Sequence, residues 1–295
     1  MFATYRNDTG FIEFLRKHEL AHVRPLRVDF GDAESLAGLD ASLRKFDACV
    51  YLAANGDPAY SVKAPAEDLR DNALAMVNML AVMEIGHMVH FSSGAVYDGL
   101  QGDVSPASAV RPTLPYAISK WASERYVMHA HETGRVGLAS VVRFFGAYGP
   151  YEPERKIYGR LVRAFAQDRN PRFTIRGNGE NLIDAMYVDD TVRAILELLK
   201  RAHETRIIDL YSGAPLKLSE LVREAASVFG FTAEISFIGE VPEFIEFRSV
   251  DRYMFDEFGF TPEVTLDDGL RRFRDWMAMQ ESEVVRTSLS VRHSG

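Results

Sequence analysis

Apolar runs of strand length alternate with amphipathic stretches through the first half of the chain. Phe2 to Tyr5 reads as a short strand, and beyond Arg6-Asn7-Asp8 the apolar Phe11, Ile12, Phe14 and Leu15 recur at helical spacing between Gly10 and His18. Val23 to Phe30 predicts a second strand, a helix follows Asp32 to about Lys45, and Asp47 to Ala54 (DACVYLAA) is nearly continuous in apolar residues. Such a run marks a strand covered on both faces, as in parallel sheets between helix layers. Glu67 to Ile85 predicts a helix, His87 to Ser93 a strand, Tyr116 to about Thr133 a helix and Gly137 to Phe145 a strand. Gly99 to Pro115 is a long connection bearing Pro, Gly and Ser, of a kind that often carries function.

This alternation predicts an α/β fold built on a doubly wound parallel sheet, whose ligands gather at the carboxyl ends of the strands. Ser92, Ser93, Phe144 and Phe145 fall at such ends. After Gly149-Pro150 the pattern loosens into a helix from Ile157 to Gln167, a strand near Phe173 to Ile175, a helix after Val188-Asp189-Asp190 and mixed short elements from Ile207 to Met279. The expected organisation is a first domain over 1–150, to which 185–212 return, a smaller lobe of 151–184 and 213–280, and a flexible tail of 281–295.

Composition narrows the function. The 295 residues carry 34 basic against 42 acidic groups, a net charge of −8, with the basic residues scattered. That argues against nucleic acid or a membrane surface as partner. No apolar run reaches membrane-spanning length, the first residues lack a signal-peptide core, and the single cysteine, Cys49, sits in an apolar run. A buried thiol in a reducing cytoplasm is the expectation. The eight histidines show no metal-ligand spacing, so no metal is expected.

The sharpest chemical signal is Tyr116-x-x-x-Lys120 at the start of a helical segment. Positions i and i+4 share a helix face, so the ammonium can stabilise a tyrosinate and fit the phenol for acid-base transfer with a hydroxyl group. Around it stand Val28-Asp29-Phe30-Gly31-Asp32, Tyr51-Leu52-Ala53-Ala54, Asn72, Ser92-Ser93-Gly94-Ala95-Val96-Tyr97, Arg143-Phe144-Phe145-Gly146-Ala147-Tyr148-Gly149-Pro150, Tyr187-Val188-Asp189-Asp190 and Gly259-Phe260-Thr261-Pro262. In this order and spacing the chain resembles the extended short-chain dehydrogenase/reductase family, in its nucleotide-sugar epimerase/dehydratase branch, from Phe2 to Trp276.

The resemblance implies a Rossmann-like domain with a C-terminal substrate lobe, NAD or NADP as cofactor, a sugar or sugar-nucleotide substrate and a homodimer. Asp29 and Phe30 would hold the adenine, Leu52, Ala53 and Ala54 would pass beneath the dinucleotide, and Asn72 would brace the nicotinamide side. Backbone near Phe144 and Phe145 would line the nicotinamide pocket, and Ser92 would touch the cofactor. Ser93, Tyr116 and Lys120 would carry the chemistry, with Lys120 also on the ribose, and Gly146 and Arg248 would face substrate. Other readings stand beside these: Asp29 and Asp32 as helix caps, Asn72 as a helix-surface residue, Phe144-Phe145 as core, and Asp189-Asp190 as a cap.

The chain departs from the family pattern at its front. A glycine-rich turn normally meets the pyrophosphate there, but only Gly10 is in register with it, within Asn7 to Glu13. Nineteen steps separate Gly10 from Asp29, too few for the elements that would have to intervene. The expectation is a chain starting at the second strand of the fold, without the first β-α unit. Arg6 then ends that strand, where arginine suits the 2′-phosphate of NADP. Gly94-Ala95 replace the Asp-Glu pair of sugar 4,6-dehydratases, which disfavours dehydration. Gly146 stands for a substrate-binding Asn, and Ile183 for an Arg on the diphosphate. Arg155, Lys156, Arg160, Arg176 or Arg248 would supply the missing charge. The function expected is an NAD(P)-dependent sugar epimerase or reductase, the alternative a non-enzymatic binding or regulatory relative.

Overall fold

The structure is a computed structural model and describes residues 1–7, 10–153, 155–240 and 245–292, the last ten of these by backbone alone. The chain divides into two units, one of Met1–Val96, Arg111–Val142 and Ala202–Ile207, the other of Tyr97–Val110, Arg143–Arg201 and Ile208 onward.

In the first unit, β1 (Phe2–Tyr5), α1 (Gly10–Lys17) and β2 (Arg24–Arg27) form a crossover, and β1 pairs in parallel with β2 from Phe2 opposite Arg24 to Tyr5 opposite Arg27. The carboxylate of Asp32 caps α2 (Ala33–Ala37), accepting the Glu34 N–H at 3.0 Å. Then come β3 (Lys45–Tyr51), α3 (Pro58–Lys63), α4 (Pro65–Leu69), a wide turn over Arg70–Leu74, α5 (Ala75–Val82), β4 (Glu84–Ser93) and α6 (Pro115–Glu132). A four-stranded sheet runs in the order Arg206–Leu210, Val136–Phe144, β4, β3, with β3 parallel to β4 from Lys45 opposite Glu84 to Tyr51 opposite His90. Met76, Met79, Met88, Val127, Ala139 and Val141 fill the core between α5, α6 and this sheet.

The parallel α/β architecture is the expected one, but the sheet is broken. Among the described residues β1 pairs only with β2, while β3 pairs only with β4. β1 and β3 nevertheless approach one another through side chains. The Phe2 and Phe46 rings lie 6.0 Å apart at one end, and Thr4, Tyr5 and Arg6 line the same cleft as Ala53 and Ala54 at the other. No residue of β1 or α1 is buried, and Val50 on β3 stays 39% exposed.

Several boundaries differ from the expectation. DACVYLAA is not covered on both faces: the strand ends at Tyr51, and Ala48, Val50 and the following Leu52, Ala53 and Ala54 are exposed. The second strand is shorter than Val23 to Phe30, and the helix expected up to Lys45 stops at Ala37, capped by Gly38, with a separate single turn at Ala41–Leu43 that starts where Asp40 accepts the Ser42 N–H at 2.8 Å. The helix expected over Glu67 to Ile85 is present, running without a break from Pro65 to Val82 through a π turn at Arg70–Leu74, but β4 starts at Glu84, three residues earlier than expected.

The second unit packs Tyr148, Tyr158, Phe165, Phe173, Leu221 and Phe273 into its own core. Strand Gln101–Val104 pairs with Glu246–Ser249, and Ala147–Tyr148 with Met186–Tyr187. These pairings move the division expected at residue 150. The stretch from Arg143, the helix Val188–Arg201 and Tyr97–Val110 all belong to the second unit. The final helix runs Leu266–Arg292, so the expected tail is helical to Arg292, and 293–295 lie outside the described residues.

Candidate active site

α6 begins with Pro115 at its first position, where the missing N–H costs nothing, and is followed by Gly134 at φ 78°. Tyr116, Lys120 and Glu124 succeed one another at four-residue intervals and so share one face. Tyr116 is half-buried; Lys120 is buried, and its Nζ donates to the Phe91 carbonyl at 2.5 Å. Burial pulls the Lys120 ammonium down to about 8, against the pull of Glu124 and Asp68. Beside it, burial and the Lys120 charge hold His90 well below the ordinary histidine value.

Ser93 ends β4 half-buried, its Oγ accepting the Ala95 N–H at 3.1 Å. Ser92, one residue earlier, points inward and donates to Glu124 Oε1 at 2.5 Å. Ser92 is therefore a buried link to α6.

A buried polar network fixes the start of α6. Asp68, fully buried, accepts from Asn55 Nδ2 at 2.6 Å, from Asn72 Nδ2 at 3.1 Å and from Ser119 Oγ at 2.6 Å. Asn72 also donates to Ser119 Oγ at 2.9 Å and accepts the Asn55 N–H at 2.7 Å. Both N–H groups of Asn72 are thus spent inside the protein, so it is neither a helix-surface residue nor a free donor, and it acts by bracing the helix that carries Tyr116 and Lys120. The Tyr116 N–H, one of the orphan donors of a helix start, is met by Ser61 Oγ at 3.1 Å.

The broken sheet opens at its carboxyl end into a cleft of about 220 Å³ lined by Tyr5, Arg6, Asp29, Gly31, Ala53 and Asp71 among others. Asp29 accepts the Gly31 N–H at 2.9 Å and pairs with Arg70 at 2.7 Å; Arg6 pairs with Asp71 at 2.8 Å. Phe30 is buried in the core beneath, and Leu52 is 65% exposed at the end of β3.

The remaining candidates lie in the second unit, together with Phe144, which is half-buried at the end of its strand. Phe145 packs among Tyr97, Tyr211 and Phe247, with ring centroids 6.2, 5.7 and 6.2 Å away, as a core residue does. Gly146 has φ 132°, and a Cβ there would come within 3.2 Å of Ala185, so glycine is required by the backbone. Arg248 is exposed and paired with Asp103 at 2.8 Å. Ile183 is half-buried against that unit's core.

Comparison with known proteins decides the family. The family described as NAD dependent epimerase/dehydratase matches residues 7–210. The chain belongs to this family. GDP-6-deoxy-D-mannose reductase of Pseudomonas aeruginosa is 26% identical over 302 residues, covering 93% of this chain and 98% of its own. Two solved structures share the fold. RMD from Pseudomonas aeruginosa complexed with NADPH has a TM-score of 0.75 at 24% identity, covering 93% and 99% of the two chains. UDP-glucuronic acid 4-epimerase from Bacillus cereus, in complex with UDP-glucuronic acid and NAD, has a TM-score of 0.77 at 21% identity, covering 90% and 85%.

NAD(P) is the cofactor of this family. The residues present fit its two ends unequally well to its middle. The cleft offers a carboxylate, Asp29, and small Gly31 and Ala53 walls to an adenosine, while the Tyr116–Lys120 face offers an ammonium to a ribose. Among the described residues no glycine turn lines the stretch between, where the sheet is interrupted.

Sequence reasoning missed Asp68, Asn55, Ser61 and Glu124. Glu124 was visible as the next step of the Tyr116, Lys120 interval. Asp68 reaches Ser119 and Ser61 reaches Tyr116 only through tertiary contacts, and Asn55 joins the network through Asp68 and Asn72.

Proposed function

We propose that the chain is an NAD(P)-dependent epimerase or reductase of sugars, most naturally nucleotide sugars, with Ser93, Tyr116 and Lys120 as its acid-base group. The observation that carries this is the buried Lys120 ammonium on the Tyr116 face of α6, one turn from the phenol. Bound nicotinamide supplies hydride transfer. Tyr116 takes or returns the proton of the substrate hydroxyl, the Lys120 charge lowers the cost of the tyrosinate, and Ser93 Oγ hydrogen-bonds the oxygen as it changes character. Gly94-Ala95 after Ser93 offer no acid-base pair of their own, which favours epimerisation or reduction over 4,6-dehydration.

Arg6 at the mouth of the cleft favours NADP, provided it can leave Asp71 for the 2′-phosphate. A second copy of the chain would cover the exposed Ile118, Trp121 and Tyr126 on the outer face of α6, giving a homodimer in the cytoplasm. Among the described residues no helix is long and apolar enough to cross a membrane.

The test is calorimetric titration with NAD and NADP, followed by turnover of UDP-, GDP- and dTDP-sugars by wild type and Tyr116→Phe. Turnover lost in the variant supports the reading; equal activity in both overturns it. The broken sheet favours a second reading, a non-catalytic binding protein, which requires that neither dinucleotide binds and no sugar turns over.

A further inference from the structure

The acid-base group leaves two buried polar residues unused, Ser92 and Glu124. Glu124 has no exposed surface, and a carboxylate so placed is costly unless hydrogen-bonded. Its bond from Ser92 Oγ, at 2.5 Å, joins the end of β4 to the middle of α6. Ser92 precedes Ser93 in the chain, while Lys120 lies one helical turn before Glu124 and Tyr116 two turns before it. A single side chain therefore ties the strand end that presents Ser93 to the helix that presents the phenol and the ammonium.

The groups facing Lys120 come from three elements. Glu124 is on its own helix with Tyr116, Asp68 is on α4, and His90 and the Phe91 carbonyl are on β4. His90 Nε2 bonds Ser123 Oγ at 2.9 Å, and Ser123 Oγ in turn donates to the Lys120 carbonyl, so Nε2 carries the proton of a neutral ring. Asp68 already accepts from three donors. Of the two carboxylates that favour the Lys120 charge, Glu124 acts more strongly.

We propose that Glu124 is a positioning residue of this site, its buried carboxylate serving both as the clamp on Ser92 and as the main counter-charge of Lys120. Its functional meaning rests on the enzyme reading above; its physical content does not.

The experiment follows the side-chain nitrogen of Lys120 against pH by NMR in 15N-lysine-labelled protein, with the resonance assigned by its loss in Lys120→Met. Glu124→Gln keeps the shape and removes the charge. Its Lys120 midpoint is expected to fall about half a pH unit or more below wild type, and Glu124→Asp to recover most of that shift. An unmoved midpoint in a folded Glu124→Gln protein overturns the proposal, since a merely structural residue would lower the melting temperature and leave the titration in place. If Glu124→Gln does not fold, wild-type protein labelled at glutamate Cδ decides. The Glu124 carbon must respond as Lys120 titrates, and silence there overturns the proposal. These readouts need no substrate. The enzyme reading fails separately, if wild type turns over no nucleotide sugar. Where turnover is seen, the alkaline limb of the Glu124→Gln profile moves to lower pH, because the ammonium is lost sooner.

Discussion

Replacing Asp68 by Ala is the most demanding test of the buried network. The carboxylate accepts from Asn55 Nδ2, Asn72 Nδ2 and Ser119 Oγ at 2.6, 3.1 and 2.6 Å, with no access to solvent. Truncation leaves three donors facing a void. Each unsatisfied buried donor costs about 1–3 kcal/mol, and Ser119 recovers part of its share through its second bond, to the Tyr116 carbonyl at 3.0 Å. The expected loss is about 3–5 kcal/mol. Asp68→Asn keeps the volume and one acceptor oxygen, and loses about 1–2 kcal/mol. Urea unfolding followed by circular dichroism measures both, provided the denaturant slope is unchanged. A loss under about 1 kcal/mol for Asp68→Ala would show that this network does not hold α6, and the account of Asn72 as a brace would go with it.

Four further outcomes are expected. The Lys120 ammonium is depressed from 10.5 to about 8 in the folded protein, so between those values the unfolded chain binds more protons and stability rises with pH; Lys120→Met should flatten the difference in urea midpoints measured from pH 8 to 10. Cys49, expected to be buried, is half-buried against the core, and desolvation pushes its thiol up to about 11, so its reaction with a disulfide reagent at pH 8 should be slower than that of free cysteine; a rate matching free cysteine would contradict that shift. Gly86→Ala would bring a Cβ to 2.5 Å from the Asp47 carbonyl between β3 and β4, with an expected loss of about 1–3 kcal/mol in thermal or urea unfolding. Arg248→Ala breaks only an exposed pair, so stability should move by less than about 1 kcal/mol; a rise in KM for a nucleotide sugar without a stability change would mark Arg248 as a substrate contact.

Much of the fold, and the shared helix face of Tyr116 and Lys120 at the centre of the candidate site, were legible in the sequence, for physical reasons that also explain the misses. Helical spacing brings Tyr116 and Lys120 to one face whatever the tertiary structure, and β-α alternation leaves few ways to wind a sheet. Asn72 was legible as a fixed position on a helix, while its bonds to Asn55 and Ser119 were not, because both depend on tertiary packing. DACVYLAA misled because apolar content records the surroundings a strand is suited to, and among the described residues β3 pairs on one edge only. The boundary set at Gly149-Pro150 came from a local turn signal. The division at Arg143 follows from the pairing of Ala147–Tyr148 with Met186–Tyr187, some forty residues on.

The interrupted sheet has a consequence for cofactor affinity. β1, α1 and β2 contribute no fully buried residue, and in the cleft this segment is represented by Thr4, Tyr5 and Arg6. A segment with so little buried surface opens locally at a free energy well below that of global unfolding. Any ligand of the cleft then binds a fractional population, and its apparent dissociation constant is the intrinsic one divided by the closed fraction. Amide exchange along Phe2–Tyr5 thus measures how much affinity the protein surrenders before a dinucleotide arrives.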